Sequence, residues 1–252
     1  MVVPMPSAPT PSPWPLLAPG WEDLFPLRPS RLDLALGLAA AGTRCLDAGC
    51  ATGSLPRALA ARGRVAHGLD LDPGFLALAR QRAEREGLSV TWHQANLLDL
   101  AVAVGPARFQ LITCLGQTLP HLLEDAQWLA FFRQAREVLE PGGHLVVQAV
   151  HDGALPEGQT RVLPELRCAE GILERRRTLV SATLASFETL FRPPDGAPVA
   201  SRTLHRRMAP GAAADLMRAA GLTPGPALAD EAGNPFQPGS GAWVLVARAQ
   251  GI

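Results

Sequence analysis

The sequence predicts an α/β fold: a doubly wound, mostly parallel sheet of the Rossmann-like type, with an antiparallel, β-rich insertion after the fifth strand. Three observations carry that expectation. Apolar runs of strand length alternate with helix-like stretches between residues 43 and 150. The first run enters a small-residue turn, DAGCATG, before a helix begins. After His151 the texture changes to β-like stretches parted by the turn PPDGAP at 193–198.

The elements follow in order. Residues 1–20 are proline-rich and read as a tail, with order beginning near Trp21 and one domain filling 21–252. Ser30 is placed to cap a helix that ends at Gly42. TRCLDAG is the first strand and LPRALAARG the helix after it. RVAHGLDLD is the second strand, and Asp72 before Pro73 is the cap of a helix running to about Glu86. LSVTWHQANL is the third strand. FQLITCLG is the fourth, almost wholly apolar, as strands covered on both faces are. EDAQWLAFFRQAREVLEPGG is a helix closed by Pro-Gly-Gly, followed by a fifth strand, HLVVQAV. The insertion spans 153–208, and a helix from Pro210 to Gly221 and a last strand, AWVLVARA, return to the sheet.

Composition narrows the chemistry. All 23 basic residues are arginine, so Schiff-base chemistry and a P-loop lysine are excluded. The formal net charge is zero, unlike the basic footprint of a nucleic-acid binder, for which a domain pI above about 9 is typical. Cys45, Cys50, Cys114 and Cys168 show no CxxC spacing, the histidines form no HExxH, and no metal is expected. No apolar run reaches the roughly 18 residues of a membrane helix, and the start lacks a secretory pattern, so a cytoplasmic setting is expected.

The glycine turn has the strand–loop–helix form of a nucleotide site, yet Asp47 stands at its mouth and would repel a pyrophosphate. Asp70 ends the second strand, with Leu71 beside it, 23 positions after Asp47 and near the offset at which an acid takes ribose hydroxyls. Asn96 ends the third strand. Its amide oxygen is placed to accept from an adenine amino group and the Leu97 N–H to reach a ring nitrogen; a simple turn asparagine is the other reading. A nucleoside without phosphate and with a cationic end satisfies all of these. S-adenosylmethionine is such a ligand.

DAGCATG followed by GLDLDPGFLALAR resembles motifs I and II of class I S-adenosylmethionine-dependent methyltransferases, and LEPGG resembles the turn before their fifth strand. WEDLFP, CLGQTLPHL, VVQAVHD, TLHRRMAP and GNPFQPGS make the chain similar to the small-molecule branch around glycine and sarcosine N-methyltransferases. The resemblance implies that Asp47, Gly49 and Gly53 contact the methionine end, Asp70 the ribose and Asn96 the adenine, with Gly116 and Gln117 under the transferring methyl. Ala51 stands where the middle glycine is usual and Asn96 where an aspartate is. Gln117, His151 and Trp21 depart from the pattern on the acceptor side.

The implied activity is methyl transfer to a small-molecule acceptor, most readily at nitrogen, with no nucleic-acid or membrane partner. Such a displacement draws mainly on alignment and electrostatics. His121 is the candidate base, or else a helix-start histidine bonded to its loop, and His151 is placed to orient an acceptor. The insertion carries Arg175, Arg176, Arg177, Arg192, Arg202, Arg206 and Arg207; Arg206 is the choice for clamping an acceptor carboxylate, against the blander reading of a solvated face. The competing functions are a non-catalytic cofactor-binding module and a nicotinamide-dependent oxidoreductase.

Overall fold

The computed structural model describes residues 13–153 and 155–250. The chain opens with three helices, α1 (Trp14–Leu17), α2 (Trp21–Leu24) and α3 (Pro29–Leu38), and then alternates: β1 (Arg44–Ala48), α4 (Ser54–Ala60), β2 (Val65–Asp70), α5 (Pro73–Arg85), β3 (Val90–Gln94), α6 (Leu100–Val104), β4 (Phe109–Cys114), α7 (Asp125–Val138) and β5 (Leu139–Val150). Four antiparallel strands follow, β6 (Thr160–Cys168), β7 (Gly171–Leu179), β8 (Leu184–Arg192) and β9 (Val199–Arg206). The chain closes with α8 (Pro210–Ala219), β10 (Leu222–Pro224) and β11 (Ala242–Ala249).

The main sheet has the order β10-β11-β5-β4-β1-β2-β3, in which β11 alone runs against the others and so pairs antiparallel with both β5 and β10. The predicted α/β class with a separate antiparallel sheet is therefore what forms. The apolar run of β4 explains its place: Leu111, Ile112 and Cys114 are wholly buried between helices on both faces. One face packs against α6, α7 and α8 through Trp128, Phe131, Phe132 and Met217, and the other against α3 and α4 through Ala35, Leu55 and Leu59. Burial also pushes the Cys114 thiol far up, which makes it a core side chain and not a nucleophile.

Several local expectations are corrected. Residues 13–20, placed in the tail, are packed: Leu17 is buried with Leu24, Leu173 and Phe191. Residues 1–12 lie outside the described ones. Ser30 does not cap α3, which starts one residue earlier at Pro29 after Arg28, and that helix ends at Leu38 instead of running to Gly42. Proline at the first helical position gives up no hydrogen bond there, and the Arg31 N–H donates to the Arg28 carbonyl at 3.1 Å. Helix α7 stops at Val138, because Leu139 already pairs with Phe109; the register then slips before Leu111, and the Pro-Gly-Gly lies within the lead-in of β5. Asp72 caps α5 as expected, accepting from the Gly74 and Phe75 N–H groups at 2.7 and 3.1 Å. Among the described residues no helix is long and apolar enough to cross a membrane.

Close packing beneath the glycine loop gives a first prediction. A Cβ on Gly68, in β2, would stand 2.5 Å from Trp92 Cζ3 and 2.8 Å from Cys50 Sγ. Gly68→Ala is expected to cost about 1–3 kcal/mol, read as a lower urea midpoint at unchanged slope. An unaltered midpoint would mean that Trp92 does not fill this space.

Candidate functional site

Strands run outward from β1 to β3 in one direction and from β4 to β5 in the other, so the reversal falls between β1 and β4. In open α/β sheets the ligand crevice opens at that point, beyond the carboxyl ends. Asp47 of β1 and Thr113 of β4 meet there, the threonine hydroxyl donating to Asp47 Oδ1 at 2.6 Å. Asp47 is buried, and burial lifts its carboxyl from 3.8 to about 6, with Thr113 and Arg31 opposing and Asp70 adding to the rise. A carboxylate held this unfavourably gains from an incoming cation.

The loop after β1 turns on two left-handed glycines, Gly49 at φ 83° and Gly53 at φ 78°, where a Cβ would strike Thr118 and Trp92 respectively. Ala51 adopts φ 46°, an uncommon value for a side-chain-bearing residue. The Gly49 and Cys50 N–H groups donate to Leu69 O, and the Ala51 N–H donates to Asp70 Oδ2 at 2.8 Å. Asp70 Oδ1 accepts from the Asp72 N–H at 3.0 Å, so this acid ties the first loop to the second. Its pKa is raised, chiefly by burial. Asn96 is exposed, and its Oδ1 accepts from the Leu98 N–H at 2.9 Å, the cap of a short 3-10 turn over Leu97–Asp99. The turn-asparagine reading is thus realised, with a second oxygen lone pair left for a ligand. Leu97 sends its side chain into the core, whereas Leu71 is exposed.

On the β4 side, Gly116 at φ 70° and Gln117 at φ 72° form a tight turn. The Gly116 N–H donates to Gln148 Oε1 at 3.1 Å, and Gln117 Oε1 accepts from the Val150 N–H at 2.9 Å. Gln148 also accepts from Arg31 Nη2, and Arg31 grips the buried Glu231 through Nε and Nη2 at 3.0 and 2.8 Å. Arg31 Nη1 lies 3.9 Å from where a Cβ on Gly116 would stand. A cation, Arg31, and a carboxylate that burial destabilises, Asp47, therefore flank one crevice, the pattern that suits an amino-acid zwitterion.

Helix α2 closes over the loop. Glu22 accepts from Thr52 Oγ1 at 2.9 Å, Arg57 Nη2 at 2.6 Å and Arg82 Nη1 at 2.7 Å. Burial alone would raise this carboxyl, but Arg57, Thr52 and Arg82 outweigh it and hold its pKa down. Trp21 packs on Phe75 and Phe25 at centroid distances of 4.8 and 4.6 Å.

The insertion meets the crevice through a buried polar chain. Asp152, just past β5, accepts from Arg177 Nε and Nη2 at 2.6 and 3.1 Å and from Arg207 Nε at 3.2 Å. Arg177 Nη1 lies 3.1 Å from His205 Nδ1. A guanidinium only donates, so Nδ1 is the acceptor and the His205 proton sits on Nε2. Burial, His121 and Arg177 lower His205 to about 3. His121, at the rim and exposed to solvent, sets its ring edge-on to His205 at 4.5 Å, and the protein atoms packed around it lower its pKa as well. It is therefore neutral near pH 7, as a proton acceptor must be.

His151 packs edge-on against Phe236 at 5.0 Å. Arg206 does not join the chain. Its neighbour His205 points inward, so alternation along β9 puts Arg206 on the other face, where Asp125 holds it at 2.6 and 3.1 Å. His67 and His93 stack on each other, their nitrogens 3.0 Å apart, as structural side chains. Sequence reasoning did not single out Arg31, Glu231, Gln148, Glu22, Asp152 or His205 as site residues. Four of them sit inside stretches already noted, WEDLFP, VVQAVHD and TLHRRMAP.

Residues 45–143 match the family described as "Methyltransferase domain". The ubiquinone biosynthesis O-methyltransferase of Pseudomonas aeruginosa is 32% identical over 130 residues, which cover 52% of this chain and 53% of that protein. The chain thus spans about half the length of the curated relatives it matches. Among solved structures, the CcbJ methyltransferase from Streptomyces caelestis superposes with a TM-score of 0.79 at 24% identity, covering 93% of this chain and 96% of that one. The sugar N-methyltransferase KedS8 from Streptoalloteichus sp superposes with a TM-score of 0.71 at 19% identity, covering 100% and 99%. The fold is that of the class I S-adenosylmethionine-dependent methyltransferases.

Proposed function

We propose that this chain, whose residues 45–143 are a methyltransferase domain, transfers a methyl group from S-adenosylmethionine to a nitrogen of a small molecule. The observation that carries the reading is Asp47: a buried acid with its pKa lifted to about 6, beside Arg31, at a turn where Gly49 and Gly53 have no room for a Cβ. That surrounding fits the cofactor's amino-acid end, ammonium toward Asp47 and carboxylate toward Arg31. Asp70 suits the ribose, since a carboxylate that accepts two backbone N–H groups still has lone pairs for hydroxyls. Asn96 and the Leu97 N–H would take the adenine, and Gly116 and Gln117 would line the methyl's path. Bound there, the cofactor supplies an electrophilic methyl on a sulfonium.

The chain's own residues then govern the acceptor. His121 is neutral and faces the insertion, so it is able to take a proton from an ammonium and leave the amine free to attack. An alcohol would need a far stronger base than an imidazole held below its ordinary value. His205 is locked by Arg177 as a fixed N–H donor and positions the His121 ring. This favours a small amine, in line with the resemblance to the glycine and sarcosine N-methyltransferase branch and with the full-length likeness to a sugar N-methyltransferase.

The test is turnover of methyl-labelled S-adenosylmethionine against a pool of small amines and phenols. Release of S-adenosylhomocysteine with label on an amine is the expected result. Tight binding without release would make the chain a cofactor-binding module, and label on a phenol would reassign the acceptor to oxygen.

A further inference from the structure

We propose that Glu231, on the loop between β10 and β11, is a positioning residue: it holds Arg31 so that one free guanidinium nitrogen faces the cofactor's carboxylate. The proposal rests on the methyl-transfer reading for the cofactor, and on the following geometry for Glu231.

The hydrogen bonds of Arg31 fix the direction in which it can act. Its Nε and Nη2 both donate to Glu231 Oε1, at 3.0 and 2.8 Å, and Nη2 donates also to Gln148 Oε1 at 3.2 Å. These use the Nε hydrogen and both hydrogens of Nη2, so the pair on Nη1 is what the guanidinium has left. Among the described residues Nη1 has no hydrogen-bond partner, and it lies 3.9 Å from where a Cβ on Gly116 would stand. The Arg31 side chain keeps 21% of its surface open, and Nη1 is not among the buried atoms that lack a partner. The free nitrogen therefore borders the turn after β4, in the crevice where Asp47 feels the Arg31 charge.

The other half of the pair is built to stay still. The Glu231 side chain is fully covered, and its Oε2 has no hydrogen-bond partner, only Arg28 Nη1 at 3.7 Å. A carboxylate withdrawn from water to that extent is costly unless a cation compensates it, so Glu231 and Arg31 hold each other in one arrangement. The loop is braced on both sides of Glu231. Asp230 accepts from the Ala232 and Asn234 N–H groups at 3.0 and 3.3 Å and from Asn234 Nδ2 at 2.7 Å. Leu228 exchanges backbone hydrogen bonds with Val244 of β11 at 2.9 and 2.8 Å. Gln148, itself buried, completes the frame, since its Oε1 also accepts from the Gly116 N–H. A guanidinium clamped along one edge has little freedom left to lose when a ligand takes the other, and such preorganisation raises affinity.

The probes are S-adenosylmethionine and its decarboxylated form, which keeps the adenosine, the sulfonium and the amine and lacks only the carboxylate. Calorimetry on the unaltered full chain should show S-adenosylmethionine binding about tenfold or more tighter, the worth of one charge-assisted contact. Glu231→Gln should weaken S-adenosylmethionine by about tenfold and leave the decarboxylated form within about twofold, which also shows that the variant is folded. Glu231→Asp keeps the charge and shortens the reach by one methylene, and its loss should be confined to S-adenosylmethionine as well. In an Arg31→Gln background there is no cation to place, so adding Glu231→Gln should change neither affinity, and no buried charge is left unpaired. Unchanged or tighter S-adenosylmethionine binding by Glu231→Gln would mean that Glu231 only neutralises Arg31. Equal losses for both ligands would mean that it only shapes the loop. Either result overturns the proposal, as does a loss that persists without Arg31. An unaltered protein that binds both ligands equally defeats the carboxylate contact alone, whereas one that binds neither defeats the methyl-transfer reading and this proposal with it.

Discussion

Asp47→Asn is expected to weaken S-adenosylmethionine binding by about 100-fold or more at neutral pH and, in the same protein, to raise the melting temperature of the ligand-free state. The two effects share one cause. Burial raises the Asp47 pKa from 3.8 to about 6, so the folded state binds its proton more tightly than the unfolded chain does. Above pH 6 the ionised carboxylate therefore works against folding, by about 3 kcal/mol at most, and this cost fades as the pH falls through 6 toward 3.8. Asparagine keeps the shape and the Thr113 hydrogen bond and removes the charge. For the same reason, cofactor affinity of the unaltered protein should drop about tenfold per pH unit below about 6, and the profile of Asp47→Asn should be flat there. Calorimetric affinities measured from pH 5 to 8, with thermal unfolding alongside, check all three. Unchanged affinity in the variant would remove the electrostatic basis of the site.

The second large effect belongs to Asp152. It is 3% exposed and is the shared counter-charge of Arg177 and Arg207. Asp152→Asn leaves the buried Arg177 unpaired and should cost about 3–5 kcal/mol in urea unfolding, the usual penalty for breaking a buried pair from one side. Asp152→Asn combined with Arg177→Met should cost clearly less than the sum of the two single changes, because the stranded charge is then gone. It should also free the His205 ring, whose Nδ1 no longer has its donor. A loss below about 1 kcal/mol in the single variant would mean that this pair does not fasten the insertion to the sheet.

Much of the architecture was legible in the residues because it depends on short-range pattern. FQLITC is apolar at nearly every position and became the central β4; Asp72 precedes proline and caps α5. The hairpin turn at 193–198 was marked by its Pro-Asp-Gly sequence and lies between β8 and β9. Short edge elements were not marked: α6 and β10 have three to five residues each and no distinctive period. The arginine-rich insertion was recognised, but choosing among its arginines required strand register. Arg206 and Arg175 look alike in sequence, yet one faces Asp125 on the outside and the other a buried threonine.

By itself the sequence determined that a glycine turn with an acid at its mouth follows the first strand, that Asp70 and Asn96 end the next two, and that lysine chemistry is out of reach. Tertiary structure alone decided which charges are matched. Arg31 meets Glu231 across 200 positions, Glu22 reaches Arg82 across 60, and Asp152 meets Arg177 across 25. Local periodicity reports which side of a strand or helix is apolar, whereas pairing energies depend on which groups leave water together, and only the folded chain brings those groups within hydrogen-bonding reach.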